Sequence, residues 1–246
     1  MNIYVKKTGC RLNQHLAERL TASIQSAEDT VVKEPLNADT IIIAGCIVTG
    51  RAEASLRRYI KKIMREYPQK RVILTGCIPD YLKTEGTEFI DQNDILNTRG
   101  IYRSRTRRDL FIQTGCNNFC SYCIVPYYRG PEQSRPLEVI LEDIENINRD
   151  SINEIILTGV HIARYNHSGI DFNSLLERII ESYNGLIRLS SLDINEIDSE
   201  LLALIDNNDM IAPFLHLSLQ HTESGILKRM HRHYTQDDIR DLFESL

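Results

Sequence analysis

A chain of 246 residues, 42% hydrophobic and 26% charged, is composed like an ordinary globular protein and is long enough for two modest domains or one large one. Its net charge of −5 excludes a uniformly basic surface, and its longest apolar run, around 41–48, is too short to span a bilayer. The opening MNIYVKKTGC lacks the apolar core of a signal peptide, so a cytoplasmic location with no membrane partner is expected, where six cysteines favour metal ligation over disulfides.

The first hundred residues alternate between strand and helix patterns. NIYVKKTGC predicts a strand, and 14–26 a helix with Leu16, Leu20 and Ile24 on one face. TIIIAGCIV is a continuous apolar run, as a strand buried on both faces requires. A helix over 52–67 carries Leu56, Ile60, Ile63 and Tyr67 at helical spacing and stops at Pro68, and RVILTGC predicts a third strand. Such alternation implies a parallel sheet with crossover helices.

All three strands run into Gly-Cys: Gly9-Cys10, Gly45-Cys46 and Gly76-Cys77. Strand carboxyl ends share one edge of a parallel sheet, where open α/β folds bind ligands. Cys10, Cys46 and Cys77 are therefore expected to converge, with the glycines turning the chain and leaving room for a bulky inorganic group. Three small buried thiols in a core would be the alternative. Basic residues concentrate in Arg51, Arg57, Arg58, Lys61, Lys62, Arg65, Lys70 and Arg71, and again in Arg99, Arg103, Arg105, Arg107 and Arg108. They read either as a local phosphate-binding field or as a solvated helix face plus a charged linker.

The polar, basic stretch 93–108 predicts a linker. DLFIQTGC then opens a new strand, followed by a helix over 137–148 behind Pro136. EIILTGV is a strand, 171–182 a helix, LIRLSSL a strand and 199–207 a helix; PFLHLSLQ is a fourth strand, and a helical region runs from 225 to the end. The expected fold class is α/β: an N-terminal parallel-sheet βαβ domain over 1–98, a basic linker over 99–108, and a partial (β/α) barrel over 109–246.

Between the strand at 109 and Pro136 lies TGCNNFCSYCIVPYYRG, with Cys116, Cys120 and Cys123 spaced C-x3-C-x2-C. A cubane iron-sulfur cluster offers four irons, each taking one outside ligand, and three thiolates leave one iron open for a substrate or cofactor. The spacing, with Tyr122 before the last cysteine, matches the radical S-adenosylmethionine (SAM) superfamily signature. Together with T-G-C-x-x-N at 8–13, LTGC at 74–77, Ser134-Arg135, EIILTGV, RLSSL and LKRM-x-R-x-Y-T, the chain resembles the methylthiotransferase family along nearly its whole length.

That resemblance implies two 4Fe-4S clusters. Cys116, Cys120 and Cys123 would hold the cluster that binds SAM at its open iron, and Cys10, Cys46 and Cys77 an auxiliary cluster that carries the sulfur to be inserted. Reductive cleavage of SAM would yield a radical able to take hydrogen from an unactivated carbon, and a second SAM would supply the methyl group. Tyr122 would lie by the adenine, Thr158-Gly159 by the methionyl end, and Ser190 is a further SAM contact. A reducing electron donor and a sulfur source are implied partners. Family branches act on isopentenyladenosine or threonylcarbamoyladenosine at position 37 of tRNA, or on a ribosomal-protein aspartate. GCRLNQ, the IVT after Cys46 and RLSSL look most like the threonylcarbamoyladenosine branch, for which tRNA is the partner.

The chain departs from the family pattern at several points. Ala44-Gly45 replace Asn-Thr before the second cysteine, His161 stands where Asn is common, HLSLQHTES replaces a Pro-Leu-Gln-Ser-Gly-Ser pattern, and Cys77 to Cys116 is short. Four barrel strands are expected where the family has six, and the family's C-terminal RNA-binding β-barrel is expected to be absent. A C-terminally truncated chain follows as an expectation, with a non-catalytic iron-sulfur protein and, more distantly, a zinc protein as alternatives. His161, His216 and His221, without paired spacing, read as structural.

Overall fold

The computed structural model describes residues 1–27, 29–96 and 107–246. It divides into two compact units, Met1–Arg103 and Ser104–Leu246.

In the first unit β1 (Asn2–Lys7), β2 (Thr30–Val31), β3 (Thr40–Gly45), β4 (Arg71–Gly76) and β5 (Thr87–Phe89) form one wholly parallel sheet in the order β2-β1-β3-β4-β5. All six residues of β3 are buried, which is why that segment reads as an unbroken apolar run. Helices α1 (Arg11–Ser26) and α2 (Gly50–Glu66) are the crossovers. The Thr49 hydroxyl caps α2 by accepting from Ala52 N at 3.2 Å, and Leu56, Ile60 and Ile63 form its buried stripe. The strand order reverses between β1 and β3, the point at which doubly wound sheets open a crevice at their carboxyl ends.

β5 and the short helix α3 (Gln92–Leu96) are absent from the expected elements, because a three-residue edge strand with exposed Glu88 and Phe89 carries no periodic signal. The stretch from 93 therefore begins as helix. Of the linker expected over 99–108, residues 99–106, with Arg99, Arg103 and Arg105, lie outside the described residues. Arg107 and Arg108 instead open β6 (Arg107–Thr114).

Three parallel strands organise the second unit: β6, β8 (Glu154–Gly159) and β11 (Leu186–Leu189), with the two-residue β7 (Gln133–Ser134) antiparallel on β6. Crossovers are α5 (Leu137–Arg149) and α6 (Phe172–Ser182), preceded respectively by α4 (Val125–Arg129) and a small hairpin of β9 (Asn166–His167) with β10 (Ile170–Asp171). Leu110, Ile112, Ile155, Leu157 and Ile187 from the sheet pack against Ile140, Ile144, Leu175, Leu176 and Ile179 from the helices. Leu176 is fully buried there. Leu176→Ala should destabilise the protein by about 2–5 kcal/mol, read as a lowered urea midpoint; an unchanged midpoint would contradict this packing.

Beyond β11 the expected elements are broken more finely. LIRLSSL is not one strand: β11 ends at Leu189, and β12 (Ser191–Leu192) pairs instead with β13 (His216–Leu217), all that remains of the fourth strand. The helix α7 (Ser199–Asp206) joins them. The terminal helical region is two helices, α8 (Ser224–Arg229) and α9 (Gln236–Ser245), the latter started by a capping box between Thr235 and Asp238. The segment between them, Met230 to Tyr234, turns back toward the cysteine loop.

Candidate metal centres

The first unit assembles its cysteines through strand register. Lys7 pairs with Ala44 and Gly45 with Gly76, so Cys10, Cys46 and Cys77 follow the ends of three adjacent strands. Cys77 N donates to Gly45 O at 3.1 Å. The Cys46 thiol is pushed far above its ordinary range, first by its hydrogen bond to the Cys10 thiol and then by burial. A bound cation would hold both sulfurs as thiolates. Cys10 is exposed and caps α1, whose N-terminus favours negative charge, whereas Cys46 and Cys77 are buried. The Thr75 hydroxyl, in the strand leading to Cys77, is buried with no hydrogen-bond partner.

The glycines do not leave the room expected of them. At Gly9, with φ +87°, a Cβ would lie 2.2 Å from Cys46 Cβ; at Gly45 it would lie 2.3 Å from Ile78 Cδ1. The space holds the Cys46 side chain at Gly9 and those of Ile78 and Leu56 at Gly45, so Gly9 lets the Cys10 turn pack against Cys46.

The second unit presents its cysteines on the loop after β6. Gly115, at φ +73°, turns the chain so tightly that a Cβ would sit 1.9 Å from Pro131 O, and Cys116 N donates to Gly130 O at 3.2 Å. Gln113, wholly buried, donates through Nε2 to Gly115 O at 3.0 Å and accepts from His161 N at 2.8 Å and Val160 N at 3.2 Å. It thereby locks the loop to the end of β8. Asn118 N lies 3.5 Å from Cys116 Sγ, and Cys123 N donates to Cys120 O at 2.9 Å. Burial, then the proximity of Cys120 and Cys116, pushes the Cys123 thiol up. Cys123 thus lies within electrostatic reach of both other thiols.

His161 takes part in this arrangement, contrary to its reading as a scattered structural histidine. Its Nδ1 stands 3.7 Å from Cys116 Sγ and 3.3 Å from Glu132 Oε1, and its Nε2 stands 2.7 Å from Glu196 Oε1. The donor atoms of Cys116, Glu132 and His161 all lie within 4.8 Å of one another. Burial works against protonation, but hydrogen bonds to Cys116 and Glu196 outweigh it and raise the imidazole to about 10. Glu132 also accepts from Asn117 N at 3.3 Å, bracing the loop from the far side. His216 is 3.3 Å from the Ser191 hydroxyl, and His221 Nδ1 accepts from Glu223 N; neither joins the cysteines.

The remaining sequence candidates fall around the sheet's carboxyl edge. Tyr122 is half exposed, with burial the main reason its hydroxyl is raised to about 12. The Thr158 hydroxyl is engaged by Asp109 Oδ1 at 3.2 Å and Ile156 O at 3.1 Å, and Gly159 abuts Gln113. Ser190, in the break between β11 and β12, keeps a buried hydroxyl without a partner, as does Thr114 just before the loop. Orphaned buried hydroxyls beside a thiol-rich loop suit a bound group that would complete them. Gln113, Glu132 and Asp193 are the site residues that sequence reasoning did not single out, whereas Arg232 entered only as part of the LKRM-x-R-x-Y-T motif with no role assigned. Of the first three, Gln113 carried a signal, as a polar residue inside an otherwise buried strand end.

The basic clusters prove uneven. On α2, Arg51, Arg58 and Lys61 are exposed with no ion pair among the described residues, and Arg57 pairs with Glu53 at 2.9 Å. Lys70 donates to Pro35 O and Arg71 pairs with Glu88 at 2.6 Å. Arg107 pairs with Glu154 at 3.3 Å and the buried Arg108 with Asp150 at 3.0 Å. Those four are structural. No helix of the described residues is long and apolar enough to cross a membrane.

Comparison with known proteins agrees with this division. The Radical SAM superfamily matches residues 110–246, and an uncharacterized protein family, UPF0004, matches 2–97. A threonylcarbamoyladenosine tRNA methylthiotransferase MtaB of Aquifex aeolicus is 31% identical over 98% of this chain and 68% of its own. The MtaB of Chlamydia pneumoniae is 30% identical over 96% of this chain and 62% of its own. A tRNA-2-methylthio-N(6)-dimethylallyladenosine synthase of Thermodesulfovibrio yellowstonii is 29% identical over 96% of this chain and 63% of its own. The chain thus spans 62–68% of the length of these relatives. A solved structure of the radical SAM methyltransferase TsrM from Kitasatospora setae superposes with a TM-score of 0.65 over 99% of this chain and 66% of that one, at 13% identity, a likeness of fold. A radical SAM domain works with an iron-sulfur cluster and SAM. The chain belongs to the radical SAM methylthiotransferase family.

Proposed function

We propose that this chain acts as a tRNA methylthiotransferase, adding a methylthio group to C2 of N6-threonylcarbamoyladenosine at position 37. The observation that carries the reading is the pair of three-cysteine sets, each at the carboxyl edge of its own parallel sheet. Cys116, Cys120 and Cys123 would hold one 4Fe-4S cluster, and Cys10, Cys46 and Cys77 the auxiliary one. When bound, the first cluster and SAM supply one-electron bond cleavage that no side chain can provide.

The chain's own residues bind and orient. Gln113 and Glu132 brace the cysteine loop from two sides. Tyr122 offers a half-exposed ring to the adenine, and Thr158, Gly159 and the unpartnered Ser190 hydroxyl line the edge assigned to the rest of SAM. A low-potential electron donor and a sulfur source complete the requirement. The threonylcarbamoyl substrate rests on relatives named for it and on the GCRLNQ, IVT and RLSSL segments.

Nucleoside analysis of tRNA tests the substrate. A strain lacking this gene should lose 2-methylthio-N6-threonylcarbamoyladenosine and recover it on complementation. Loss of the isopentenyl derivative instead would move the chain to the other tRNA branch, and no change in either would reject the reading.

The exposed face of α2 is the proposed meeting place with tRNA phosphates. Arg58→Glu with Lys61→Glu should weaken tRNA binding and flatten the log–log salt dependence by about 0.7–0.9 for each phosphate that is no longer neutralised, while these exposed changes move stability by no more than about 0.5 kcal/mol. A salt slope equal to that of the unaltered chain would remove α2 from the interface.

A further inference from the structure

The segment between α8 and α9 touches the cysteine loop at three successive residues. Ser121 N donates to Met230 O at 3.1 Å, His231 Nδ1 lies 3.4 Å from Phe119 O, and Arg232 Nη1 lies 3.5 Å from Cys120 Sγ. Phe119 and His231 both adopt left-handed backbone conformations, φ +45° and +57°, so each side of the contact is specifically shaped. Arg232 is itself held rigidly. Its Nη2 donates to Asp193 Oδ1 at 2.5 Å and Ser218 O at 2.9 Å, and its Nε to the Tyr234 hydroxyl at 3.2 Å. The Arg232 and Asp193 side chains are 7% and 6% exposed. A buried guanidinium with two partners on one nitrogen and one on Nε has its remaining fork aimed at a sulfur, and it stays charged at any working pH.

We propose that Arg232 donates a charge-assisted hydrogen bond to the Cys120 thiolate and so raises the reduction potential of the cluster held by Cys116, Cys120 and Cys123. The inference rests on that cluster assignment. Reduction adds one electron and no proton, so the loaded site becomes one unit more negative. A fixed positive donor at a ligating sulfur stabilises that state more than the oxidised one. Arg232 is a positioning and tuning residue that acts through the Cys120 sulfur.

The test is an EPR-monitored dithionite titration of the full chain, reconstituted anaerobically and carrying Cys46→Ala so that one cluster is observed. Arg232→Gln is expected to keep its iron and sulfide and to shift the midpoint to more negative potential by a tenfold change in equilibrium constant, about 59 mV for one electron. Arg232→Lys, which keeps the charge, should recover more than half of that shift. A midpoint unmoved in Arg232→Gln overturns the proposal, and so does iron loss from both variants, which would make Arg232 a folding residue. Failure of the cluster assignment reads differently: Cys120→Ala would then leave the iron content and EPR signal of the Cys46→Ala chain intact.

Discussion

Cys116→Ala is expected to halve the iron bound after anaerobic reconstitution, from about eight atoms per chain to about four, and to abolish formation of 5′-deoxyadenosine from SAM. Cys116 is held in place by several contacts. Its backbone N is fixed to Gly130 O, its sulfur lies beside Asn118 N and His161, and Gln113 holds the preceding Gly115 carbonyl. The residue is only partly buried, so its truncation should cost the fold about 1 kcal/mol or less and leave the other three-cysteine set intact. Cys46→Ala is the complementary measurement: its iron likewise falls to about four atoms per chain, yet SAM cleavage persists while methylthio transfer stops. Full iron in Cys116→Ala, or SAM cleavage continuing in it, would remove the loop from the centre of the chemistry.

The second large effect is expected at Gly9, where no loss of a ligand is involved. Gly9→Ala must place a Cβ at φ +87° and 2.2 Å from Cys46 Cβ. A non-glycine residue in that conformation costs about 1–3 kcal/mol, and forcing atoms into filled space costs about 1–3 kcal/mol more. Relief requires Cys10 or Cys46 to move, so the auxiliary iron should fall along with the thermal midpoint. Gly169→Ala, in the β9–β10 hairpin away from the cysteines, is the useful contrast, with a similar φ of +85° but open space around its Cβ. It should show backbone strain alone and keep its iron. Equal effects from both substitutions would mean that close packing against Cys46 plays no part.

These expectations draw unequally on sequence and structure. The strands before Cys10, Cys46 and Cys77 were readable because parallel strands buried on both faces are continuous apolar runs, and α2 because its stripe of Leu56, Ile60 and Ile63 repeats at helical spacing. Short pieces escaped. β5, α3 and β7 have two to five residues, fewer than any period needs, and the break at Ser190 depends on β12 leaving one sheet to pair with β13. Basic residues were countable in sequence but not separable: Arg58 faces solvent while Arg108 is buried against Asp150. Burial decides that difference, and burial is not a local property.

The sequence by itself determined the chemistry-bearing atoms. Six cysteines in two sets of three and their place after strands follow from the sequence alone; a fourth ligand position left open is what three thiolates would leave on a cubane cluster. Tertiary structure alone decided what surrounds those sulfurs. Arg232 reaches Cys120 across 112 residues of sequence and His161 reaches Cys116 across 45. The pairings arise only when the α8–α9 turn and the end of β8 pack around the loop. Ligand identity is written in side-chain type and short-range spacing. The charge and hydrogen bonds that tune the ligands belong to contacts between distant segments, which exist only once the chain has folded.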